Sequence, residues 1–508
     1  MARYAAIDIG SNSIRMEAAE TASGSPARIL ASAREVTRLG QSVFQTGRIS
    51  EDAIALACDV LSRMAAQYKV LDVVGVRAVA TSSACDARNQ AEFLERASEA
   101  IGSPVEAITG REEARLIHAG VESRWPHPRE RVLLVDIGGG SAEIIASENG
   151  RLVDALSKPL GAVRLRELFL ANDPPSSREL HQMEDYIRGR LAGTVRRLGP
   201  ARWDRVIATS GTASAVAYAI NGVPRSKRDQ ADRLRASAAQ VRKLYLKLSL
   251  LALPERRKVR GIGPRRAEII VPGVCVLSRI LDEFHLPRLN YSAAGIRDGI
   301  IADLAARGIG RELAQLDRQQ RKELERVCIR YALPLKHARK VAALASTLFH
   351  AFQPLHQLPP AFGKLLEAAA FLHDTGHYVN DLSHHKHSYY LVANSDIYGF
   401  TRAELEFVAN LCRYHRKSMP SPDHTNQKLL GNGDRQALLL LIPLLRLADS
   451  LDRSREQRVE SIECQVRNGQ ATVRLVSSAD IELEQWAAGR VGEVFRQVYG
   501  RPLAITKA

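Results

Sequence analysis

A repeated pattern, an apolar strand that ends in Asp-Ile-Gly, constrains this chain more than any other sequence feature. It occurs first as Tyr4-Ala-Ala-Ile-Asp8-Ile-Gly10-Ser-Asn-Ser13 and again as Val132-Leu-Leu-Val-Asp136-Ile-Gly138-Gly-Gly-Ser141. Such an internal repeat indicates duplication of a structural unit. Strand patterns alternate with helical patterns through about residue 303, which is typical of α/β architecture. The sequence therefore predicts two related α/β lobes.

Each copy of the repeat ends in a loop whose composition suits phosphate. Glycine lets the backbone approach a ligand closely, loop N–H groups and Ser or Asn side chains donate hydrogen bonds, and a carboxylate can hold Mg²⁺. A single loop of this kind is more often only a turn. Two loops in separate lobes favour facing jaws that grip a phosphate chain in a cleft, and Ala208-Thr-Ser-Gly211-Thr212-Ala213 is a weaker third candidate.

A pair of acids, Glu112 and Glu113, precedes a predicted helix just ahead of the second loop. Acids in a first helical turn commonly stabilise the helix dipole, which is one interpretation. The other is a general base that deprotonates an attacking water.

Together these segments resemble the exopolyphosphatase / guanosine pentaphosphate phosphohydrolase family, which has the actin-like and hexokinase-like (ribonuclease H-like) fold. The matching segments, in the family's order and spacing, are Ala6-Ile-Asp-Ile-Gly-Ser-Asn-Ser-Ile-Arg15, Thr109-Gly-Arg-Glu-Glu-Ala-Arg-Leu116, Val135-Asp-Ile-Gly-Gly-Gly-Ser-Ala-Glu143, Gly161-Ala-Val-Arg-Leu165, Ser210-Gly-Thr-Ala213 and Ala294-Gly-Ile-Arg-Asp-Gly299.

The resemblance implies a role for each matched residue. Glu113 corresponds to the catalytic base, Asp136 and Glu143 to acids that organise Mg²⁺ and the attacking water, and Asp8 to a further metal ligand. The expected phosphate contacts are Gly10, Ser11, Asn12, Ser13, Arg15, Gly138, Gly139, Gly140, Ser141, Gly211, Thr212 and Arg297.

One departure from the family pattern affects phosphate binding. The family's arginine in Ala-Thr-Ser-Ala-x-Arg is replaced here by Cys85, within Ala80-Thr-Ser-Ser-Ala-Cys85-Asp-Ala-Arg88. Arg88 lies three residues further on and is the candidate substitute.

Beyond about residue 305 the chain becomes predominantly helical, and His and Asp become frequent. The order His337, His373-Asp374, Asp449 resembles the metal-dependent HD phosphohydrolase superfamily, and this resemblance implies a second, transition-metal site. His387 and His415 are candidates for a second ion. The alternative is a degenerate scaffold that widens a basic channel and builds a homodimer.

The resulting domain prediction has four parts. They are a phosphate-binding lobe at 1–125, a second actin-like lobe at 126–305, a helical HD-like domain at 306–455 and a small α+β domain at 456–508.

The formal net charge of +16 favours polyanionic partners. Basic residues cluster at 225–243, 256–266 and 318–340, which predicts either a solvated face or a channel for a polyanion. Aromatic residues are only 5% of the chain, so the sequence favours neither a nucleic-acid partner nor, without a long apolar run, a membrane partner. Six scattered cysteines and the absence of a signal sequence predict a cytoplasmic protein.

The sequence predicts an exopolyphosphatase that uses Mg²⁺, with guanosine pentaphosphate as the alternative substrate. Two rival functions remain open: a polyphosphate or alarmone sensor with little turnover, and an ATPase or sugar kinase of the same fold. A homodimer is implied by the resemblance alone.

Overall fold

The structure is a computed structural model that divides into two compact units, residues 1–309 and 310–508. The residues it describes are 2–22, 27–199, 203–307, 316, 318–395, 397, 399–400, 402–421, 424, 426, 430–467 and 469–507. Within these ranges, no helix is long and apolar enough to cross a bilayer.

The first lobe is a five-stranded sheet in the order β3-β2-β1-β4-β5. β1 pairs antiparallel with β2 and parallel with β4, so the Asp-Ile-Gly end of β1 lies beside the carboxyl end of β4. The elements are β1 Ala2–Ile9, β2 Ser13–Thr21, β3 Arg28–Val36, α1 Leu39–Thr46, α2 Glu51–Lys69, β4 Gly75–Ala80, α3 Ser82–Asp86, α4 Gln90–Ile101, β5 Val105–Ala107 and α5 Gly110–Arg124.

The second lobe repeats this plan, with sheet order β10-β11-β9-β6-β7-β8. β6, β7, β8, β9 and β11 occupy the places of β1 to β5, and β10 is an added edge strand. The elements are β6 Arg131–Ile137, β7 Ala142–Glu148, β8 Arg151–Lys158, α6 Ala162–Phe169, α7 Ser177–Leu198, β9 Arg205–Thr209, α8 Ser210–Ile220, a 3₁₀ turn Arg225–Gln230, β10 Arg235–Ser237, α9 Ala238–Ser249, α10 Leu253–Lys258, α11 Ile270–Glu283, β11 Arg288–Tyr291 and α12 Ile296–Arg307.

The duplication extends to the register of the two hairpins. Asp8 pairs across the first hairpin with Arg15, and Asp136 pairs across the second with Glu143. The pairing between the second and third strands of each lobe also shifts register at the matching place. The shift follows Ala18 in the first lobe and Ala146 in the second. The predicted repeat is therefore present in strand pairing as well as in sequence.

Helix α12 packs on the first lobe, although the sequence boundary at residue 305 assigned most of it to the second. Ile300 and Ile301 are buried in one apolar cluster with Ala6, Val79 and Leu116. The physical reason is that this face of the first sheet is otherwise uncovered, so the chain must pass between the lobes twice to bury it.

The second unit is built around one hydrophobic core, which includes the small sheet. β12 pairs with β13 and β13 with β14, and Val473 and Phe495 pack in the same cluster as Leu438. The separate domain predicted at 456–508 is thus part of the helical unit. The elements are α13 Arg318–Arg330, α14 Leu335–Ala351, α15 Gln353–His356, α16 Ala361–Leu372, a 3₁₀ turn Thr375–Tyr378, α17 His384–Ala393, α18 Arg402–Tyr414, α19 Asn432–Ser450, β12 Ser461–Arg467, β13 Gln470–Val476, α20 Glu482–Gly489, α21 Gly492–Tyr499 and β14 Leu503–Lys507.

The contact between α5 and α12 requires glycine, and this gives a stability prediction. A Cβ on Gly299 would overlap the carbonyl oxygen of Leu116, and a Cβ on Gly120 would lie 2.8 Å from the Gly299 nitrogen. We expect Gly299→Ala to lower the free energy of unfolding of the first unit by about 2 to 4 kcal/mol, because backbone atoms cannot move aside cheaply.

The matched control is Gly189→Ala on the exposed face of α7, where an added methyl meets nothing within 4 Å. That change should be neutral or stabilising, because alanine favours helix. Urea denaturation followed by tryptophan fluorescence in a Trp486→Phe background reports on the first unit, which holds Trp125 and Trp203. Equal stability of the two glycine variants would contradict the prediction.

Candidate active site

A cleft between the two lobes contains most of the residues selected from the sequence. It is a cavity of about 840 Å³. The predicted residues that line it are Asp8, Gly10, Ser11, Asn12, Ser13, Arg15, Glu113, Asp136, Gly138, Gly139, Gly140, Ser141, Gly211 and Arg297.

The two repeated loops have the same backbone turn. The Gly10 N–H donates to the Ser13 carbonyl oxygen at 3.2 Å, and the Gly138 N–H donates to the Ser141 carbonyl oxygen at 3.0 Å. The Ser11 hydroxyl is buried and has no hydrogen-bond partner among the described residues. It is therefore a polar group available to a ligand in the cleft.

A second pair of loops also lines the cleft, and both were quoted from the sequence without being related to each other. Thr81 follows β4 and Thr209 ends β9, each has extended backbone at the N-cap position of the next helix, and Ser82 and Ser210 line the cleft beside them. The sequence signal that relates them is the triplet Ala-Thr-Ser, which begins at Ala80 and again at Ala208. The two copies are as far apart in sequence as Asp8 and Asp136. Each lobe thus contributes two loops to the cleft.

Gly140 allows loops from the two lobes to meet. A Cβ at this position would lie 2.7 Å from the Ser11 hydroxyl oxygen and would also overlap the Ser82 hydroxyl. Any side chain here would therefore push the lobes apart. The glycine run in the second loop is required by this close approach as well as by ligand binding.

Four carboxyl groups lie close together at the cleft, three of them on its lining (Asp8, Glu113 and Asp136) and the fourth, Glu143, fully buried. Burial, followed by the nearby Glu143, Asp8 and Asp136, raises the pKa of Glu113 well above its ordinary value. Burial likewise raises the pKa of Asp136 to about 7 and that of Glu143 to about 8, and it raises the pKa of Asp8. Desolvation and like-charge repulsion together disfavour the ionised forms of this group.

Glu143 lies behind the cleft surface, yet one of its oxygens has no partner. Ser157 donates to Oε1 at 2.8 Å, whereas Oε2 is buried without a hydrogen bond among the described residues. Oxygen donors from several acids, one of them unsatisfied, are the ligands that Mg²⁺ prefers. The residues present therefore fit a divalent cation.

The structure separates the two candidate bases. Glu112 accepts from Arg115 at 2.8 Å and from Arg77 at 3.2 Å, and both arginines also contact Asp303. Burial, the largest single effect, would raise the pKa of Glu112. The charges of Arg115 and Arg77 together outweigh it, so the pKa of Glu112 is lowered. Glu113 instead lines the cleft. One residue of the pair is structural, and its neighbour is available for chemistry.

Six arginines line the cleft together with the acids, and all of them except Arg34 belong to segments selected from the sequence. They are Arg15, Arg34, Arg228, Arg265, Arg266 and Arg297. Burial, then nearby arginines, lowers the pKa of Arg34 to about 10 and that of Arg266 to about 9. Arg228, Arg265 and Arg266 lie in the basic runs at 225–243 and 256–266, so those runs contribute to the cleft.

Two predicted phosphate contacts lie elsewhere. Thr212 is fully buried on the inner face of α8, where its hydroxyl donates to the Ile137 carbonyl oxygen at 3.2 Å. Arg88 is exposed and lies beside Gly47, because the chain leaves the cleft after α3. The guanidinium next to the cleft loops is that of Arg164, which donates to the Gly140 carbonyl oxygen at 2.7 Å and to the Ser82 hydroxyl at 3.3 Å.

Cys85, which stands where the family has arginine, is a neutral thiol. Its Sγ donates to the Ile108 carbonyl oxygen at 3.3 Å. Although Cys85 as a residue is exposed, desolvation of its thiol and then the nearby Glu113 raise the pKa of that thiol. It therefore supplies no charge for phosphate.

The second unit brings together the four residues selected there. His337 Nε2 lies 3.6 Å and His373 Nε2 lies 3.3 Å from an oxygen of Asp449. The same two nitrogens lie 3.9 and 3.5 Å from Asp374. His415 joins this cluster, but the residue beside it on α17 is His384 and not the predicted His387. The reason is helical periodicity, which turns His384 inward with Ser388.

Comparison with known proteins gives consistent relatives for both units. The Ppx/GppA phosphatase family matches residues 18–307, and domain III of the Ppx/GppA phosphatases matches residues 319–486. A protein named guanosine-5'-triphosphate,3'-diphosphate pyrophosphatase, from Vibrio vulnificus, is 27% identical over 90% of this chain and 88% of its own length.

Solved structures give the fold. The Aquifex aeolicus Ppx/GppA family member is 29% identical, with a TM-score of 0.53 over 60% of this chain and 98% of its own. An exopolyphosphatase-like protein is 27% identical, with a TM-score of 0.56 over 59% of this chain and 97% of its own. The first unit therefore has the actin-like fold of these phosphatases.

The different surroundings of the paired acids give a second prediction. Glu112→Gln removes a charge from a buried ion network and should lower the free energy of unfolding by about 3 kcal/mol. Glu113→Gln should leave stability unchanged or raised, because burial already opposes ionisation at that position. Urea denaturation of the two proteins measures the difference, and a larger loss in Glu113→Gln would contradict the assignment.

Proposed function

The chain belongs to the Ppx/GppA phosphatase family, whose members hydrolyse phosphoanhydride bonds, and we propose that its cleft removes the terminal phosphate from inorganic polyphosphate. One observation carries the proposal: the carboxyl groups of Asp8, Glu113 and Asp136 line the same cleft as six arginines. The arginines suit a ligand with many negative charges, and the acids suit deprotonation of water beside it.

Attack by water in line with the terminal anhydride bond is the proposed reaction. Glu113 accepts the proton of the water, because it lines the cleft while Glu112 is held in an ion network. Backbone N–H groups of the glycine loops and the arginine side chains stabilise charge on the terminal phosphoryl oxygens. The leaving chain is a good leaving group, so positioning and charge neutralisation supply most of the catalysis.

Asp8, Asp136 and Glu143 are the residues that would hold Mg²⁺. When bound, this ion neutralises phosphate charge and polarises the phosphoryl group. Glu143 positions the carboxyl cluster from behind, through its bond from Ser157.

A second candidate substrate is guanosine pentaphosphate. Its support is the Vibrio vulnificus relative, which is named for that substrate and matches 90% of this chain. Both substrates end in the same phosphoanhydride, so the cleft chemistry is the same for each. Relative kcat/KM for the two substrates distinguishes them.

The rival functions fit the site less well. A sensor with little turnover has no need for a buried acid such as Glu113 at the cleft surface, beside unpaired loop donors. A sugar kinase has no need for so strongly basic a cleft. The homodimer is part of our proposal on the family resemblance alone, and light scattering should then give about twice the chain mass of 55.9 kDa.

Replacement of the proposed base gives the direct test. Glu113→Gln should reduce kcat for phosphate release from long-chain polyphosphate by about 100-fold or more while leaving binding intact, because a positioned base contributes on this scale. The control is Glu95→Gln on the exposed face of α4, which should keep full activity. Turnover in Glu113→Gln close to that of the unmodified protein would exclude this residue as the base.

An arginine substitution tests the binding half of the proposal. Arg266→Gln should weaken polyphosphate binding about tenfold or more, because a charge-assisted hydrogen bond is worth about 1.5 to 3 kcal/mol. Lys243→Gln on the exposed face of α9 removes the same charge outside the cleft and should change affinity little. Equal losses in the two variants would mean that net charge, and not the cleft, determines binding.

A further inference from the structure

A buried acid, Glu17, lies on β2 of the first lobe, close to the cleft. Only 4% of Glu17 is exposed. Side chains two residues apart along a strand share one face of the sheet, so Arg15, Glu17 and Ala19 form a row. Arg15 lines the cleft, and Ala19 packs in the apolar cluster that this face shares with α12. Glu17 therefore lies where the cleft meets that apolar cluster.

The side chain of Glu17 forms an ion pair with Arg297, in the first turn of α12. Glu17 Oε2 lies 3.4 Å from Arg297 Nη1, and the same Nη1 donates to the Met16 carbonyl oxygen at 3.4 Å. In the part of the chain that the structure describes, Glu17 is the only acid that forms an ion pair with Arg297. Two acceptors on one strand of the first lobe thus hold this guanidinium.

The neighbouring acid, Asp298, is engaged by other groups. Its Oδ1 lies 2.6 Å from Arg124 Nη2, and its Oδ2 accepts from the Gly295 N–H at 2.8 Å. Arg124 Nη2 lies 3.9 Å from Glu17 Oε1, which is a longer contact than the 3.4 Å between Glu17 and Arg297. Asp298 is therefore the main partner of Arg124, and Glu17 is the partner of Arg297.

Arg297 belongs to the cleft as well as to this ion pair. It lines the cavity, and 22% of its side chain is exposed. Burial has the largest effect on the pKa of Asp8 and on that of Arg15, and the charge of Arg297 lowers both pKa values. Arg297 is therefore within electrostatic reach of the groups at the two ends of the first repeated loop. A guanidinium has five N–H donors, so the pair with Glu17 leaves donors for a phosphate oxygen.

An acid at position 17 has a cost in stability. Burial, the largest effect, raises the pKa of Glu17, and the charges of Arg297 and Arg124 do not fully offset it. A carboxyl group whose pKa is raised by folding makes the folded protein less stable at neutral pH, where the group is ionised in the unfolded chain. Residues that lower stability in this way are common at functional sites. The stability of the strand therefore does not explain Glu17.

We infer that Glu17 is a positioning residue, which fixes the Arg297 guanidinium at the cleft so that it binds a phosphoryl oxygen of the polyphosphate chain. The inference rests on the proposed function for its substrate and on the contact between Glu17 and Arg297 for its geometry. An arginine side chain loses rotamer freedom when it binds an anion, and this loss opposes binding. An arginine that Glu17 already holds has lost that freedom beforehand, so the anion binds more tightly.

A double-mutant cycle on the full chain tests whether Glu17 acts through Arg297. Calorimetry with tripolyphosphate measures the affinity of the cleft without turnover. We expect Glu17→Gln to raise the Kd about fivefold and Arg297→Gln to raise it about tenfold or more. The double variant should have the Kd of Arg297→Gln alone, because Glu17 then has no arginine to position. During hydrolysis of long-chain polyphosphate, the effect of Glu17→Gln should fall on KM and not on kcat.

The matched control is Glu20→Gln, on the same strand. Glu20 also pairs with two arginines, since it accepts from Arg3 at 3.2 Å and from Arg28 at 2.8 Å, but neither arginine is part of the cleft lining. This variant removes the same charge as Glu17→Gln and should keep the Kd of the unmodified protein. Urea denaturation checks that each variant is folded, and Glu17→Gln should be as stable as the unmodified protein or more stable.

The outcomes separate this inference from the proposed reaction. An unchanged Kd in Glu17→Gln, an equal change in Glu20→Gln, or additive losses in the double variant would overturn the positioning role. A protein that shows the expected cycle of Kd values but releases no phosphate would contradict the proposed reaction and support the positioning role. A protein that does not bind tripolyphosphate would contradict both.

Discussion

Four carboxyl groups held close together, out of contact with bulk water, are the constraint around which the first unit is arranged. Burial raises the pKa of all four, and neighbouring acids raise those of Glu113, Asp136 and Glu143 further, so the cluster is costly unless positive charge lies close to it. The surrounding arginines provide that charge from strands, loops and helices of both lobes. Burial, followed by the neighbouring arginines, lowers the pKa values of Arg15, Arg34 and Arg266. The cleft is therefore lined by both acids and arginines. The acids suit a cation and the arginines suit an anion.

The sequence predicted the parts of this site that depend on local structure. The two repeated turns and the strands before them were identified because an apolar segment that ends in Asp-Ile-Gly predicts a strand followed by the same kind of turn at both places. Arg34 could not be identified in this way, since nothing within β3 shows that its face meets a loop from the other lobe. Likewise, the sequence shows two adjacent acids but not which one is held in an ion network. That depends on Arg77 and Asp303, which are distant from Glu112 and Glu113 in sequence.

The incorrect assignments have equally specific causes. Thr212 belongs to the right motif, but its side chain is fully buried on the inner face of α8, where the hydroxyl donates to the Ile137 carbonyl oxygen. His387 was chosen over His384 for the same reason, because spacing alone does not fix which face of α17 is buried. Helix α12 was assigned to the wrong lobe because sequence order gives no sign of a chain that returns to cover an earlier sheet.

The unequal partners of the two repeated acids have a consequence for how a chain of phosphates can lie in the cleft. Arg15 and Glu143 occupy the same register position in the two hairpins, one opposite Asp8 and the other opposite Asp136. Two identical hairpins would present a two-fold symmetric surface, on which a linear polyanion could bind equally well in either direction. The exchange of a cation for an acid breaks that symmetry. It gives one lobe a cation at the strand position where the other lobe has an acid, so a ligand that lies between the lobes meets different charges on its two sides.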